Sequence, residues 1–207
     1  MVAGLLALFL LAAFILVNYF MHYQVKHQAS EQVYPEKPEK LPDVLNNSGR
    51  QLVFYDFESG NSMDTSLHLA LKGHGGNQSF RMSSKAEFSP GLWIKFKDLN
   101  PGDSSWIRAT GYVWFSCPSA DVKCNLVSTC NHKGVNFKYM FIPLETENLK
   151  PNQWNRVSID YRIPEAPDGE DVLQAYFWYR GGGEMLVDDV KIEFFKLKKN
   201  ENHSSFH

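Results

Sequence analysis

The segment EMLVDDVKIEFF, Glu184 to Phe195, is the clearest strand signal in the chain. Its second half, Val190 to Phe194, alternates apolar and charged side chains, and this period of two predicts a half-buried β-strand. Asp188 and Asp189 lie inside the segment on opposite faces of the predicted strand. One of the two carboxylates must therefore point toward an interior, where an unpaired charge is costly.

A buried carboxylate of this kind needs a partner, and the sequence allows two. A hard cation is one, and Glu58, in Phe57-Glu58-Ser59-Gly60, offers it a further oxygen ligand. Calcium takes six to eight oxygens, so these carboxylates do not by themselves define a calcium site. Backbone amide groups are the other partner, and both alternatives stay open.

The region from Gln51 to Lys196 contains no long amphipathic helical pattern, and it is long enough for one core. Short apolar or alternating runs are separated by Gly, Pro, Asn and Asp, which is typical of strands and turns. The predicted strands are Gln51–Phe57, Gln78–Ser83, Leu92–Lys97, Trp106–Cys117, Val135–Ile142, Asn155–Tyr161, Val172–Arg180 and Met185–Phe195. Eight strands without intervening helices predict an all-β fold, a two-sheet sandwich of the jelly-roll type.

Five landmarks follow one another along this region: Asp56-Phe57-Glu58, His74 to Met82 (HGGNQSFRM), Leu99-Asn100-Pro101-Gly102, Gln153-Trp154 and the closing VDDVKIEFF. Their order resembles that of the jelly-roll carbohydrate-binding modules and galactose-binding-like domains, over Gln51 to Lys196. The resemblance implies glycan binding on a sheet face or in edge loops. It also implies a structural calcium held by Glu58 with Asp188 or Asp189 and by backbone carbonyls near Lys72 to Gly76.

Three predicted strands share one pattern, with an apolar face and a second face that mixes aromatic and polar side chains. If these strands are neighbours in one sheet, their second faces form a platform on which rings stack on sugars while polar groups hold hydroxyls. The predicted ligand-binding residues are Trp93, Trp106, Arg108, Tyr112, Trp114, Tyr176, Trp178 and Arg180. The alternative is that the rings pack for structural reasons beneath loops such as Cys117 to Lys133.

The segment Met1 to Val25 contains no Asp, Glu, Lys or Arg, and it is long enough to cross a bilayer. We expect an uncleaved transmembrane anchor, or signal-anchor, at residues 1–25, the alternative being a secretory signal. Residues 26–50 then form a flexible Pro/Glu/Lys stalk, residues 51–196 the β-sandwich and residues 197–207 a polar tail. Although Lys26 follows the span, the type of domain favours a single-pass protein whose C-terminal domain is extracytoplasmic.

Three cysteines and a histidine, Cys117, Cys124, Cys130 and His132, are spaced C-x6-C-x5-C-x-H. This set contains the atoms of a Cys3His zinc site but lacks the tight spacing of such sites. In an oxidising compartment Cys117 and Cys124 could instead close a short disulfide loop, which leaves Cys130 free.

Enzyme signatures are absent from the sequence, which has no nucleophile elbow, HExxH or P-loop. Acidic residues such as Asp160 with Glu165, or Asp168 to Asp171, are more simply solvated surface groups than a glycosidase pair. A net charge of −2 offers no basic field for nucleic acid. The sequence thus predicts a membrane-anchored, non-catalytic module that binds glycan. The alternative is a structural or protein-interaction accessory domain of a membrane or envelope complex, with a protein partner the sequence does not identify.

Overall fold

The computed structural model describes residues 39–45, 49–58, 68–101, 104–166, 168–181 and 183–196. Within these ranges the chain forms ten strands, one helical turn and three 3-10 turns. The strands are β1 (Arg50–Tyr55), β2 (Leu69–Ala70), β3 (Ser79–Met82), β4 (Leu92–Lys95), β5 (Ser105–Phe115), β6 (Cys124–His132), β7 (Val135–Pro143), β8 (Asn155–Arg162), β9 (Val172–Tyr179) and β10 (Met185–Lys196). The helical turn is α1 (Phe96–Leu99), and the 3-10 turns are Asp43–Leu45, Ser119–Asp121 and Leu144–Thr146.

No helix in the described part of the chain is long and apolar enough to cross a membrane. The predicted anchor, residues 1–25, lies outside the described residues, as do residues 26–38 of the predicted stalk and the tail from residue 197.

The strands form two antiparallel sheets. The six-stranded sheet has the order β2-β3-β10-β5-β8, and β1 pairs with β10 as well. The first half of β10 pairs with β3 and its second half with β1, while β5 lies along its other side. The four-stranded sheet has the order β4-β9-β6-β7. The prediction of an all-β sandwich of two sheets is confirmed.

The core lies between the sheets and is built from the alternating faces that the sequence predicted. Strand β10 contributes Val190, Ile192 and Phe194, and β5 contributes Ile107 to Phe115 through every second residue. Strand β9 contributes Ala175, Phe177 and Tyr179 by the same alternation. Each strand therefore turns one face inward and leaves its second face to solvent or to covering segments.

One long strand was not predicted. Strand β6 occupies most of the stretch Cys117 to Lys133, which the sequence analysis treats as a loop. Its first seven residues, Cys124 to Cys130, are all buried, because β6 is an inner strand of its sheet and both of its faces are covered. A strand covered on both faces does not alternate apolar and polar residues, and it is recognised in a sequence by a continuous apolar run instead. The Asn, Ser and Thr residues of β6 interrupt that run.

Residues 39–45, called here the N-terminal strap, pack on the outside of the six-stranded sheet. Leu41 and Leu45 are only 1% and 3% exposed and form a small cluster with Trp106 and Phe195. The Leu41 N–H donates to Asp160 Oδ2 at 2.9 Å. The strap therefore differs from the flexible stalk expected for residues 26–50, because burial of its leucines holds it on the domain.

The three cysteines are free thiols. Cys124 and Cys130 are buried, and burial raises the pKa of Cys130 to about 12 and that of Cys124 further still. Tyr161 Oη donates to Cys130 Sγ at 3.2 Å. Both buried thiols therefore stay protonated, and they fill core space rather than present a reactive thiolate.

Candidate functional site

The predicted aromatic platform is divided between the two sheets. Strand β5, which carries Trp106, Arg108, Tyr112 and Trp114, belongs to the six-stranded sheet, whereas β4 and β9 belong to the four-stranded sheet. The condition on which a single platform depended, that the three strands are neighbours, does not hold. The predicted residues form two sets on opposite outer faces of the sandwich.

The outer face of the six-stranded sheet is covered at both ends of β5. Trp106 lies under Leu41 and Leu45 of the strap. Arg108 binds Asp160 through two bonds, Nε to Oδ1 at 2.6 Å and Nη2 to Oδ2 at 3.0 Å.

A loop at residues 72–76 covers the other end of β5. The His74 ring stacks on Tyr112 with a centroid distance of 3.5 Å, and Lys72 Nζ lies 3.2 Å from the centre of the Trp114 ring. Tyr112 and Trp114 are half-buried beneath these contacts.

The outer face of the four-stranded sheet is different, because several rings there remain accessible. Trp93 of β4 is 61% exposed, and Tyr176 and Trp178 of β9 are half-buried. Phe88 stacks parallel to Trp178 at 6.2 Å and meets Tyr176 edge-on at 5.6 Å. The Arg180 guanidinium lies 4.7 Å from the centre of the Trp178 ring.

Two further rings on β7 complete this surface. Tyr139 and Phe141 alternate with the core residue Met140, and they therefore share the outer face. Register places Tyr139 beside Thr129 and Phe141 beside Val127 of β6. The name aromatic face is used below for Phe88, Trp93, Tyr139, Phe141, Tyr176 and Trp178.

The rings of the aromatic face flank β6, and the name trough is used below for the strip of β6 that lies between them. Val127 lies between Tyr176 and Phe141 and is 0% exposed, although it is on the outer side of the sheet. Asn125 lies between Trp178 and Pro143, and it is 2% exposed. The flanking rings therefore shield the floor, and a ligand seated between them would meet apolar walls and a few polar groups.

The hydroxyl groups of the trough are suited to hydrogen bonding. Burial raises the pKa of Tyr139 to about 12 and also raises that of Tyr176. Both phenols therefore remain protonated and able to donate across the physiological range. Thr129 Oγ1 donates to the Lys138 carbonyl at 3.0 Å and stays in the floor.

Three of the acidic residues considered as glycosidase groups are engaged in other contacts. Asp160 binds Arg108, and Asp171 Oδ1 lies 2.5 Å from His132 Nδ1. Glu170 binds Lys95 and Lys97, and these hydrogen bonds lower its pKa to about 2. A general acid needs a raised pKa, so Glu170 is unsuited to that role.

The predicted cation ligands Glu58, Asp188 and Asp189 are brought together around the loop at residues 73–78. Glu58 Oε1 accepts the N–H groups of Asn77 at 2.7 Å and Gln78 at 2.6 Å. A side chain at Gly76 would collide with the Glu58 carboxylate, so glycine is what allows this close approach.

Asp188 is the buried carboxylate that the sequence predicted. Its Oδ2 accepts the His74 N–H at 2.6 Å and its Oδ1 accepts the Asp189 N–H at 2.8 Å. Burial raises the pKa of Asp188, and the backbone donors oppose that rise.

Asp189 has a φ of 47° at a bulge in β10, and its Oδ2 lies 2.7 Å from His74 Nδ1. The bulge turns Asp189 toward the loop that also holds Asp188.

These carboxylates meet N–H donors, which is the second of the two alternatives that the sequence left open. Among the described residues, no group of three or more His, Cys, Asp and Glu side chains is arranged to hold a metal ion. The calcium site at Glu58, Asp188 and Asp189 therefore stays a prediction. Within the same residues, Cys117, Cys124, Cys130 and His132 form no such group either.

Solved carbohydrate-binding modules are similar to this chain. The xylan-binding CBM22-1 domain of Paenibacillus barcinonensis Xyn10C is 17% identical, with a TM-score of 0.47 over 72% of this chain and 97% of that domain. A xylan-binding domain from CBM 22, the x6b domain, is 12% identical, with a TM-score of 0.43 over 76% of this chain and all of that chain. A family 16 module is 9% identical, with a TM-score of 0.37 over 60% of this chain and 82% of that chain. No family model and no curated protein matches the sequence.

Several residues of the aromatic face and of its floor were absent from the predicted set. Tyr139 and Phe141 lie in a predicted strand, and alternation around Met140 was the signal that could have assigned them to the outer face. Asn125 was missed because β6 was treated as a loop. Phe88 lies between strands and carries no periodic signal, since a single bridge to Trp178 places it.

Proposed function

We propose that the domain is a non-catalytic, jelly-roll-type module that binds glycan in the trough of the aromatic face. The observation that carries the proposal is the contrast between the two outer faces of the sandwich. The six-stranded sheet has its rings covered by the strap and by the loop at residues 72–76. The four-stranded sheet keeps rings accessible around a floor of buried polar and apolar residues.

The chemistry of this surface suits a sugar chain. Pyranose rings have apolar C–H faces that stack on aromatic rings, and equatorial hydroxyls that require donors and acceptors. Trp93 offers an exposed ring face, the half-buried Trp178 forms a wall, and Tyr139 and Tyr176 offer hydroxyls. A row of rings with no reactive acid or nucleophile among them can retain a polymer without cleaving it.

The setting of the module is proposed from the sequence alone. Residues 1–25 anchor the chain in a membrane, and the C-terminal domain lies outside the cytoplasm. There it would hold glycan close to the membrane surface.

Affinity electrophoresis of the full chain in gels containing soluble xylan, hydroxyethylcellulose, glucomannan or laminarin tests the proposal. Retardation by at least one polymer is expected. Trp178→Ala should abolish the retardation, because Trp178 forms a wall of the trough and bears the Phe88 and Arg180 contacts.

Trp114→Ala is the matched control. Trp114 is also a half-buried strand tryptophan with a cation over its ring, Lys72, but it faces outward from the other sheet. Trp114→Ala should keep the retardation. Loss in Trp114→Ala with retention in Trp178→Ala would move the site to the opposite sheet. A folded wild-type chain that no polymer retards would favour the structural or protein-interaction alternative.

A further inference from the structure

We propose that Asn125 forms a subsite at one end of the trough, where its side-chain carbonyl oxygen accepts a hydrogen bond from a sugar hydroxyl. This inference rests on the proposed function and adds a residue that sets specificity. The glycan bound at this end of the trough must therefore carry an unsubstituted, neutral hydroxyl group.

The position of Asn125 in the fold places its side chain on the trough side of β6. Its neighbours along the strand, Cys124 and Leu126, belong to the core between the sheets. Successive side chains of a strand point to opposite faces, so Asn125 points away from that core. Its partners across the sheet are Trp178 and Pro143, and Trp178 is a wall of the trough.

The hydrogen bonding of Asn125 is incomplete. Its Oδ1 is buried and has no partner among the described residues. Leaving a buried acceptor unpaired is unfavourable, because it has lost its hydrogen bonds to water and gained none in the protein. The flanking side chains cover this oxygen, so a ligand hydroxyl reaches it only when they move aside. The hydroxyl would then supply the missing donor, and the aromatic walls would strengthen that bond by excluding water.

A second unpaired acceptor lies at the same end of the four-stranded sheet. Glu145 Oε2 is buried and has no partner in the part of the chain that the structure describes, and Glu145 belongs to the 3-10 turn that follows Pro143. Two acceptors at this end favour ligand groups that donate, such as hydroxyls, and disfavour the carboxylates of acidic sugars.

Ser128 provides a control within the same strand. Its Oγ is also buried and unpaired, but Ser128 lies opposite the core residues Met140 and Ala175 and faces the inside of the sandwich. Asn125 and Ser128 thus share strand, burial and lack of a partner, and they differ in the face they occupy.

The experiment compares wild type, Asn125→Leu and Ser128→Ala as full chains, by isothermal titration with whichever of the four polymers retards the wild type. Asn125→Leu should lose roughly tenfold or more in affinity, since one satisfied hydrogen bond of about 1.5 kcal/mol corresponds to that factor. Its melting temperature should be unchanged or higher, because an unpaired polar group has been removed. Ser128→Ala should bind as the wild type does.

A methylated form of the same polymer adds a readout that a structural role would not change. Methylation removes the hydroxyl donor, so the wild type should bind the methylated polymer more weakly than the unmodified one. Asn125→Leu lacks the acceptor of this hydrogen bond, so the loss of the donor should not lower its affinity further. Equal affinities of wild type and Asn125→Leu for the unmodified polymer would overturn the subsite. So would a fall of several degrees in the melting temperature of Asn125→Leu, which would make Asn125 a structural residue.

The outcome also separates this inference from the proposal on which it rests. Binding that is lost in Trp178→Ala but kept in Asn125→Leu would overturn the Asn125 subsite alone. A wild-type chain that binds none of the four polymers would overturn both.

Discussion

At the scale of single residues, Asp188 is a buried carboxylate that depends on its hydrogen-bond donors. It is buried at the bulge of β10 and accepts the N–H groups of His74 and Asp189. We expect Asp188→Ala to lower the free energy of unfolding by about 2–5 kcal/mol, because two backbone donors lose their acceptor. Urea denaturation, followed by tryptophan fluorescence, measures this loss.

Glu184 is the control for Asp188. It begins the same segment but is half-exposed, and its only role in the described structure is an ion pair with Arg81 at 3.0 Å. Glu184→Ala should change the free energy of unfolding by less than about 1 kcal/mol. Equal losses for the two variants would mean that the amide contacts of Asp188 contribute no more than a surface ion pair.

Glu170 gives the chain a pH dependence whose sign is fixed by its lowered pKa. Its pKa is about 2 in the folded chain and ordinarily 4.5, so its carboxylate stabilises the fold above pH 4.5. That contribution is lost as the pH falls toward 2. Glu170→Gln should therefore melt slightly below the wild type at pH 6, and the two curves should converge toward pH 2.

The difference for Glu170→Gln should be small, since exposed ion pairs contribute little. The raised pKa of Asp188 acts in the opposite direction, but Asp188 is present in both proteins and its effect cancels. Melting temperatures measured from pH 2 to 6 decide the matter. A gap that stays constant with pH would assign the effect to packing rather than to charge.

At the scale of elements, we expect the N-terminal strap to contribute to the stability of the domain. Leu41 is buried against Trp106 and Phe195, and a buried Leu→Ala change costs about 2–5 kcal/mol. Leu41→Ala should destabilise the domain by an amount in this range and shift tryptophan emission to the red as Trp106 meets water. Val44, which also lies in the strap, is 77% exposed, so Val44→Ala should change neither the stability nor the tryptophan emission. A silent Leu41→Ala would mean that the strap is not held on the sheet in solution.

Strands also show how far sequence patterns reach. The alternation of β5 and β9 predicted which side chains enter the core, because a strand's two faces are a local property. The same alternation could not tell that β5 and β9 lie in different sheets, because strand pairing depends on residues far apart in sequence. Hence the alternation predicted that Trp114 and Trp178 both point away from the core, but not that they lie on different sheets.

At the scale of the whole molecule, the two sheets differ in how far their outer faces are covered. Covering segments close the outer face of the six-stranded sheet, with the strap at one end and the loop at residues 72–76 at the other. The four-stranded sheet keeps its aromatic face accessible, and its inner strand β6 is buried on both sides. Rings of the same chemical type thus stabilise one face and remain available for a ligand on the other.

The loop at residues 73–78 forms hydrogen bonds with Glu58, just after β1, and with Asp188 and Asp189 in the middle of β10. It therefore links the two strands. A calcium ion shared by these carboxylates would hold both strands together. It would add about 2.7 kcal/mol to stability at a hundredfold excess over its Kd. The melting temperature of the full chain should then be higher in calcium than in excess EDTA.

Glu58→Gln identifies the origin of any calcium effect. The amide oxygen of glutamine can still accept the N–H groups of Asn77 and Gln78, but the charge that attracts a cation is gone. Glu58→Gln should therefore abolish the rise with calcium and keep most of the stability seen in EDTA. Identical melting of the wild type in calcium and EDTA would remove the ion and leave backbone amides and the His74 ring as the partners that the structure shows for these carboxylates. In that case the N–H groups of His74 and Asp189 are enough to offset the cost of burying Asp188.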